Sequence, residues 1–234
     1  MKIRIKFEKT GSMKFIGHLD LLRYFQKAIR RAEIPIAYSG GYSPHQVMSF
    51  ASPLGVGLTS EGEYMDIEIT QSISSKEAIR RLNLAMVDGM KISQFRLLEE
   101  TSKNAMSIVA GADYCIYAKS TDESLLSEKE VAEFLSQPTI LVEKQTKKSV
   151  TEIDLKEGIL LGEKRTIKDQ DCYYFKVHAG SVQNIKPELI LEALYTYMQK
   201  PLSLNTLQVH RLDLYCERDD SLISLGDLGV DIDE

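Results

Sequence analysis

The chain opens on strict alternation. In KIRIKFEK, Ile3, Ile5 and Phe7 point to one side and Lys2, Arg4, Lys6 and Glu8 to the other. A period of two marks a strand with one buried face. The period then changes. Over HLDLLRYFQKAIRRA, residues 18–32, Leu21, Leu22, Phe25, Ala28, Ile29 and Ala32 form one stripe, which predicts an amphipathic helix. Pro35 stops that helix from running further. A glycine loop, SGGYSPH at 39–45, leads into a short strand through MSFASPL, and YMDIEIT alternates again after a turn-rich stretch. Ser74 or Ser75 can cap a helix over 76–87 whose buried face is Ala78, Ile79, Leu82, Ala85 and Met86, and Gly89 ends it. MKISQFRLL supplies one more strand. The order βαββαβ is the ferredoxin-like arrangement.

A polar stretch, EETSKNAM, reads as a linker, and the order then repeats in outline. ADYCIYAKS is a strand and SEKEVAEFLSQ a helix. TILVEKQ and TEIDLKEGILL are strands joined by a basic turn, KQTKKSV. DCYYFKVHA is a strand, IKPELILEALYTYMQ a helix starting near Pro187, and LNTLQVHRLDLYCE a final strand. The expected fold is therefore α+β, with two tandem ferredoxin-like units, the second elaborated by an extra strand or hairpin. The expected boundaries are 1–103, 104–218 and an acidic tail, 219–234, that is mobile or peripheral.

Charge changes this picture at the ends. The chain carries −5 overall, but residues 1–50 hold nine Lys/Arg and three Asp/Glu, or +6, so the remainder carries −11. Such asymmetry marks either a polyanion-binding end or two parts that attract each other. No stretch approaches the roughly 20 apolar residues of a membrane span, and the N-terminus reads as a strand rather than a signal peptide. The expectation is a cytoplasmic protein with no membrane partner. Cys115, Cys172 and Cys216 are far apart, which argues against a disulfide framework, a zinc ribbon or an iron–sulfur cluster. All three lie in strand-like runs and read as buried small hydrophobes.

Candidate chemistry concentrates near the first helix. His18 and Asp20 stand at its start, where Asp20 also suits the helix dipole. Arg23 follows one turn on, and Lys27, Arg30 and Arg31 extend a basic stripe, the better polyanion candidate. Tyr42 and His45 sit in the glycine loop, where Gly40 and Gly41 would let backbone approach a ligand and Pro44 restricts the chain. His18, Asp20, Arg23, Tyr42 and His45 are accordingly the candidate ligand-binding set. A plain alternative stands beside it: a helix cap, a surface ion pair and a rigid turn. The strand cations Lys2, Arg4 and Lys6 either form an open basic face or are neutralised across the sheet by Asp66 and Glu68. His18, His45, His178 and His210 have no ligand-like spacing, so no metal site is expected, and no catalytic residue is assigned.

The stretch HLD at 18–20, PIAYSGGYSPH at 35–45, SFASPLGVG at 49–57 and SEGEYMDI at 60–67 closely resembles the radical SAM-linked protein family. Weaker echoes are EIDLK at 152–156, NIKPELIL at 184–191 and HRLDLY at 210–215. Relatives often carry a Lys after Pro-His-Pro, where this chain has Gln46 and Val47, so no phosphate-binding lysine is carried over at this loop. The resemblance implies a radical SAM partner, encoded beside or fused to such a domain, that would carry the [4Fe–4S] cluster and S-adenosylmethionine. This chain has no three closely spaced cysteines and is expected to hold no cofactor of its own.

Three functions remain open. The first is a noncatalytic accessory that binds substrate, possibly a structured RNA, for the radical SAM partner. The second is a stand-alone RNA-binding protein, or a metal-independent RNA-processing protein with His18 or His45 moving protons. The third is a small-molecule enzyme or sensor.

Overall fold

The computed structural model describes residues 1–120, 124–145, 150–167, 169–180 and 183–233. The alternating start forms β1 (Lys2–Lys9) and the periodic stripe forms α1 (His18–Arg31). After them come β2 (Met48–Phe50), β3 (Thr59–Glu68), α2 (Ser75–Ala85) and β4 (Met90–Leu97). Ser74 caps α2 by accepting the Glu77 N–H at 3.4 Å. The strands run in the order β4-β1-β3, all antiparallel, with β2 paired to β3. Ile3 faces Ile67 and Ile5 faces Met65 across the register. Together with Phe7, Phe95 and Ile92 they meet Phe25, Ile29 and Leu82 of the helices in one buried cluster. Burial of this apolar face is what holds both helices on the sheet.

The segment expected as a linker is folded. Residues Ala105–Ile108 make one helical turn, α3, and the Asp66 carboxylate accepts the Ala105 N–H at 2.7 Å. The chain divides not at 103 but into one unit of Met1–Val109 with Asp213–Glu234 and another of Ala110–Leu212.

The second unit begins with β5 (Val109–Ala118) and α4 (Glu128–Leu135). A reciprocal capping box between Ser127 and Glu130 starts α4. Then come β6 (Leu141–Gln145), β7 (Val150–Asp154), β8 (Ile159–Ile167), β9 (Gln170–His178), α5 (Pro187–Tyr197) and β10 (Leu207–Arg218). The order is β10-β5-β9-β8, and β6 pairs with β7 as a separate ribbon. Leaving the ribbon aside, each unit reads fourth, first, third, second strand. The expected single strand TEIDLKEGILL is broken into β7 and β8. Asp154 accepts the N–H groups of Ile140 and Lys156 at 2.8 and 2.9 Å. Gly158 sits so close to Ile185 that a Cβ would stand 2.4 Å from its Cγ1. Of the predicted basic turn KQTKKSV, 144–150, residues 146–149 lie outside the described residues. Cys115 and Cys172 pack with Tyr174, and the three cysteines are buried and free.

The acidic end is not a peripheral tail. Residues from Asp213 onward belong to the first unit. There β11 (Ser221–Ser224) pairs with β10, Leu225 is wholly buried, Val230 bridges Leu97, and the Ile232 N–H reaches Ser75 Oγ at 2.9 Å. Asp219, Asp220, Asp227, Asp231 and Asp233 are exposed while Leu225 and Ile232 pack inward, so composition alone misreads it.

Candidate functional site

The first helix begins at Gly17, which is extended and offers no side-chain cap, with Asp20 in its first turn. Leu21, Phe25, Ala28 and Ile29 are buried. Arg23, Lys27, Arg30 and Arg31 are all exposed on the other side. Arg23 reaches Asp20 at 3.3 Å, an exposed pair worth little in water. Arg31 Nη2 donates to the Ala85 carbonyl at 2.8 Å, at the C-terminal end of α2, where a cation suits the helix dipole.

The second helix adds charge that the sequence reading did not connect to the first. Arg80 and Arg81 both donate to Glu77, at 2.7 and 2.6 Å. Their hydrogen bonds, Arg80 first and then Arg81, hold the Glu77 carboxyl down at about 2. Arg31, Arg80 and Arg81 line a groove of about 690 Å³ with Glu33, Glu77 and Leu84. The signal was present in AIRRL, since Arg80 and Arg81 avoid the apolar face of Ala78 and Leu82, but nothing local announces that α1 and α2 lie side by side.

The sheet cations have a different fate. The register sets Lys2 across from Glu68, Arg4 from Asp66 and Lys6 from Tyr64. Arg4 is 2% exposed and grips Asp66 through Nε and Nη2 at 2.8 and 2.9 Å. Lys6 turns to Asp213 at 3.1 Å, and Tyr64 donates its hydroxyl to the same carboxylate at 2.5 Å. Burial, then the Asp213 charge, pushes the Tyr64 phenol well above its ordinary range, so it stays a donor. Lys2 donates to the carbonyls of Glu100 and Ser102 rather than to Glu68. The open-face reading is therefore overturned: these cations are engaged within the first unit, with Asp66 and Asp213 as the neutralising acids.

The glycine loop is the tip of a hairpin. Val47 N–H donates to Ala37 O, Ser39 N–H to His45 O, and Tyr38 bridges Gln46. Ser39 Oγ meets His45 Nδ1 at 2.8 Å and accepts the His45 N–H at 3.1 Å, which locks the neck. Gly41 has φ +98 with open space where a Cβ would be, so it serves the turn rather than a close approach. Tyr42 is fully exposed at the tip. His45 lines a cavity of about 270 Å³ with Ser39, Lys2, Asp66, Glu68 and Lys103. That cavity takes in none of His18, Asp20, Arg23 or Tyr42. His18 instead lies edge-on to Phe50, ring centres 5.4 Å apart. The five residues expected to share one pocket are thus distributed over a helix end, a hairpin tip and a cavity wall. Among the described residues no group of His, Cys, Asp or Glu is arranged to hold a metal, and no helix is long and apolar enough to cross a membrane.

A family model described as an uncharacterized protein conserved in bacteria, DUF2344, matches residues 2–187. No curated protein matches the chain. Among solved structures, the chain is similar to one in a Cbf5-Nop10-Gar1 complex, at 10% identity and TM-score 0.48, covering 96% of this chain and 53% of that one. It therefore spans about half the length of that chain. It is also similar to an unknown protein from Galdieria sulphuraria, at 11% identity and TM-score 0.25, covering 91% and 97%. Neither likeness bears on function.

Proposed function

This chain belongs to the DUF2344 family of uncharacterised bacterial proteins, and we propose on that premise that it is a noncatalytic accessory that presents structured RNA to a radical SAM partner. The radical SAM link rests on the resemblance of residues 18–67 described above. The strand order in each unit supports reading each as ferredoxin-like, a scaffold that packs its helices on one face of its own sheet.

One observation carries the RNA reading. The cations on the sheet are consumed internally, whereas Arg23, Lys27 and Arg30 face solvent on α1 and Arg31, Arg80 and Arg81 line the neighbouring groove. Backbone phosphates of a folded RNA match such a row, and the contact needs no base readout. Docking on the partner then raises the substrate's local concentration there.

Fluorescence anisotropy with a structured RNA hairpin tests this. If the four α1 cations each neutralise a phosphate, affinity falls roughly a hundredfold between 50 and 200 mM salt. Lys27→Glu with Arg30→Glu is expected to weaken binding at least tenfold and to flatten the salt slope by about two. Glu77→Gln releases Arg80 and Arg81 and is expected to tighten it. Binding that ignores salt, or partner turnover unchanged when this chain is left out, counts against the reading.

A further inference from the structure

The buried ion pair on the other side of the sheet leaves one donor unused. Arg4 is 2% exposed, and its Nε and Nη2 are occupied by Asp66, with Nη2 also near the Lys103 carbonyl at 3.4 Å. Its Nη1 is buried without a partner. The guanidinium is a rigid planar fork, so when the Nε and Nη2 edge faces a carboxylate, Nη1 lies away from it. Asp66 and Arg4 line different spaces. Asp66 borders the 270 Å³ cavity beside His45, and Arg4 borders a second one of about 560 Å³.

Three of the side chains that line that second cavity are cationic. Its walls include Arg4, Lys103 and Arg218, with Ser102 beside them and Glu99 as the acid in the lining. Arg4 is balanced by Asp66 and serves as a donor. Lys103 and Arg218 add two positive charges, and the contact of Arg218 with Asp219, at 3.9 Å, is weak and exposed. Residues Leu228 to Val230 of the C-terminal segment close one side, held by the Val230 bridge to Leu97. Both guanidinium groups also act on one neighbouring buried group: burial raises the Cys216 thiol, and the charges of Arg4 and then Arg218 oppose that rise.

We infer that this cavity binds a phosphate group, free or as the monoester of a small metabolite. A phosphate presents three acceptor oxygens, enough to meet Arg4 Nη1, the Lys103 ammonium and the Arg218 guanidinium together. Nη1 is itself almost inaccessible, so the oxygen that meets it must displace the wall locally, and it gains there a hydrogen bond that the fold otherwise leaves unmade. The volume exceeds that of phosphate alone and leaves room for an attached group. The site lies on the opposite face of the sheet from α1 and α2 and is distinct from the RNA face proposed above.

Calorimetric titration of the full chain in phosphate-free buffer tests the assignment, with inorganic phosphate, phenyl phosphate and acetate as separate probes. Saturable binding of one equivalent of inorganic phosphate or phenyl phosphate is expected, and the tighter of the two identifies the free ion or the monoester. Lys103→Ala and Arg218→Ala are exposed changes that spare the buried pair, and each is expected to weaken phosphate at least tenfold. Lys27→Glu with Arg30→Glu is expected to leave it unchanged. The proposal falls if neither phosphate probe binds, if both alanine variants bind like the parent, if acetate binds equally well, or if the α1 reversal abolishes binding.

Discussion

Asp66→Ala is expected to destabilise the first unit by about 3–5 kcal/mol, the usual cost of stranding one member of a buried ion pair. The variant would leave the Arg4 guanidinium, itself 2% exposed, without its counter-charge. It would also orphan the Ala105 N–H, which donates to the same carboxylate at 2.7 Å. Against a total stability of about 5–15 kcal/mol, this is a large fraction, and urea unfolding followed by circular dichroism reads it directly. Asp66→Asn keeps the shape and one acceptor, so it is expected to cost less. The double variant Arg4→Met with Asp66→Leu removes both charges and is expected to recover most of the loss. It should stay below the parent by the roughly 1–3 kcal/mol of an unsatisfied Ala105 donor. A single-variant loss under 1 kcal/mol would mean that Arg4 and Asp66 remain solvated, and the phosphate cavity would lose its inner wall as well.

That ion pair also shows how far the sequence could be read. Strand alternation and the βαββαβ order were enough to set Lys2, Arg4 and Lys6 as a group across from Tyr64, Asp66 and Glu68; the register supplies the individual pairs, Lys2 with Glu68, Arg4 with Asp66 and Lys6 with Tyr64. Alternation fixes which side chains share a face, because the period is two and a one-residue slip would turn the apolar set outward. It does not fix which partner each cation takes. Lys6 chose Asp213, 207 residues away, and Lys2 chose backbone carbonyls at 100 and 102. Long flexible ammonium stems accept any acceptor that the tertiary fold brings within reach.

The helices were legible for a similar reason. The stripe of α1 spans fourteen residues, long enough for the 3.6 period to dominate. The glycine loop was legible as a turn but not as a pocket. Its neck is closed by Ser39 and His45, and the direction of a side chain at a hairpin tip follows from neighbours distant in sequence. The acidic C-terminal segment was misread because six acids between 219 and 234 outweigh a few leucines in composition, whereas the fold asks only that Leu225 and Ile232 have somewhere to pack. Lys103 and Arg218 escaped notice for the same cause: only a folded C-terminus brings residues 103 and 218 to the wall that Arg4 lines.

The remaining large effect is expected from Phe25→Ala. Phe25 is wholly buried on the inner stripe of α1. Its ring meets Phe7 of β1 at 4.8 Å and Phe50 of β2 at 5.6 Å, both edge-on. Truncation removes the transfer term, opens a cavity and breaks these two aromatic pairs and a third, with Tyr24 at 5.8 Å, at about 3–5 kcal/mol in total. Phe25→Leu keeps most of the volume and is expected to cost less. The pair of variants separates packing from recognition, because neither touches Arg23, Lys27 or Arg30, which occupy the outer side of the same helix. Below its melting temperature Phe25→Leu is expected to bind an RNA hairpin like the parent, with the same salt slope, while its urea midpoint drops. If RNA affinity instead falls in step with stability at temperatures where the helix remains folded, then binding depends on something other than the exposed cations of α1. A loss for Phe25→Ala near zero would place the ring outside the core and remove the physical reason for that basic face to point at solvent.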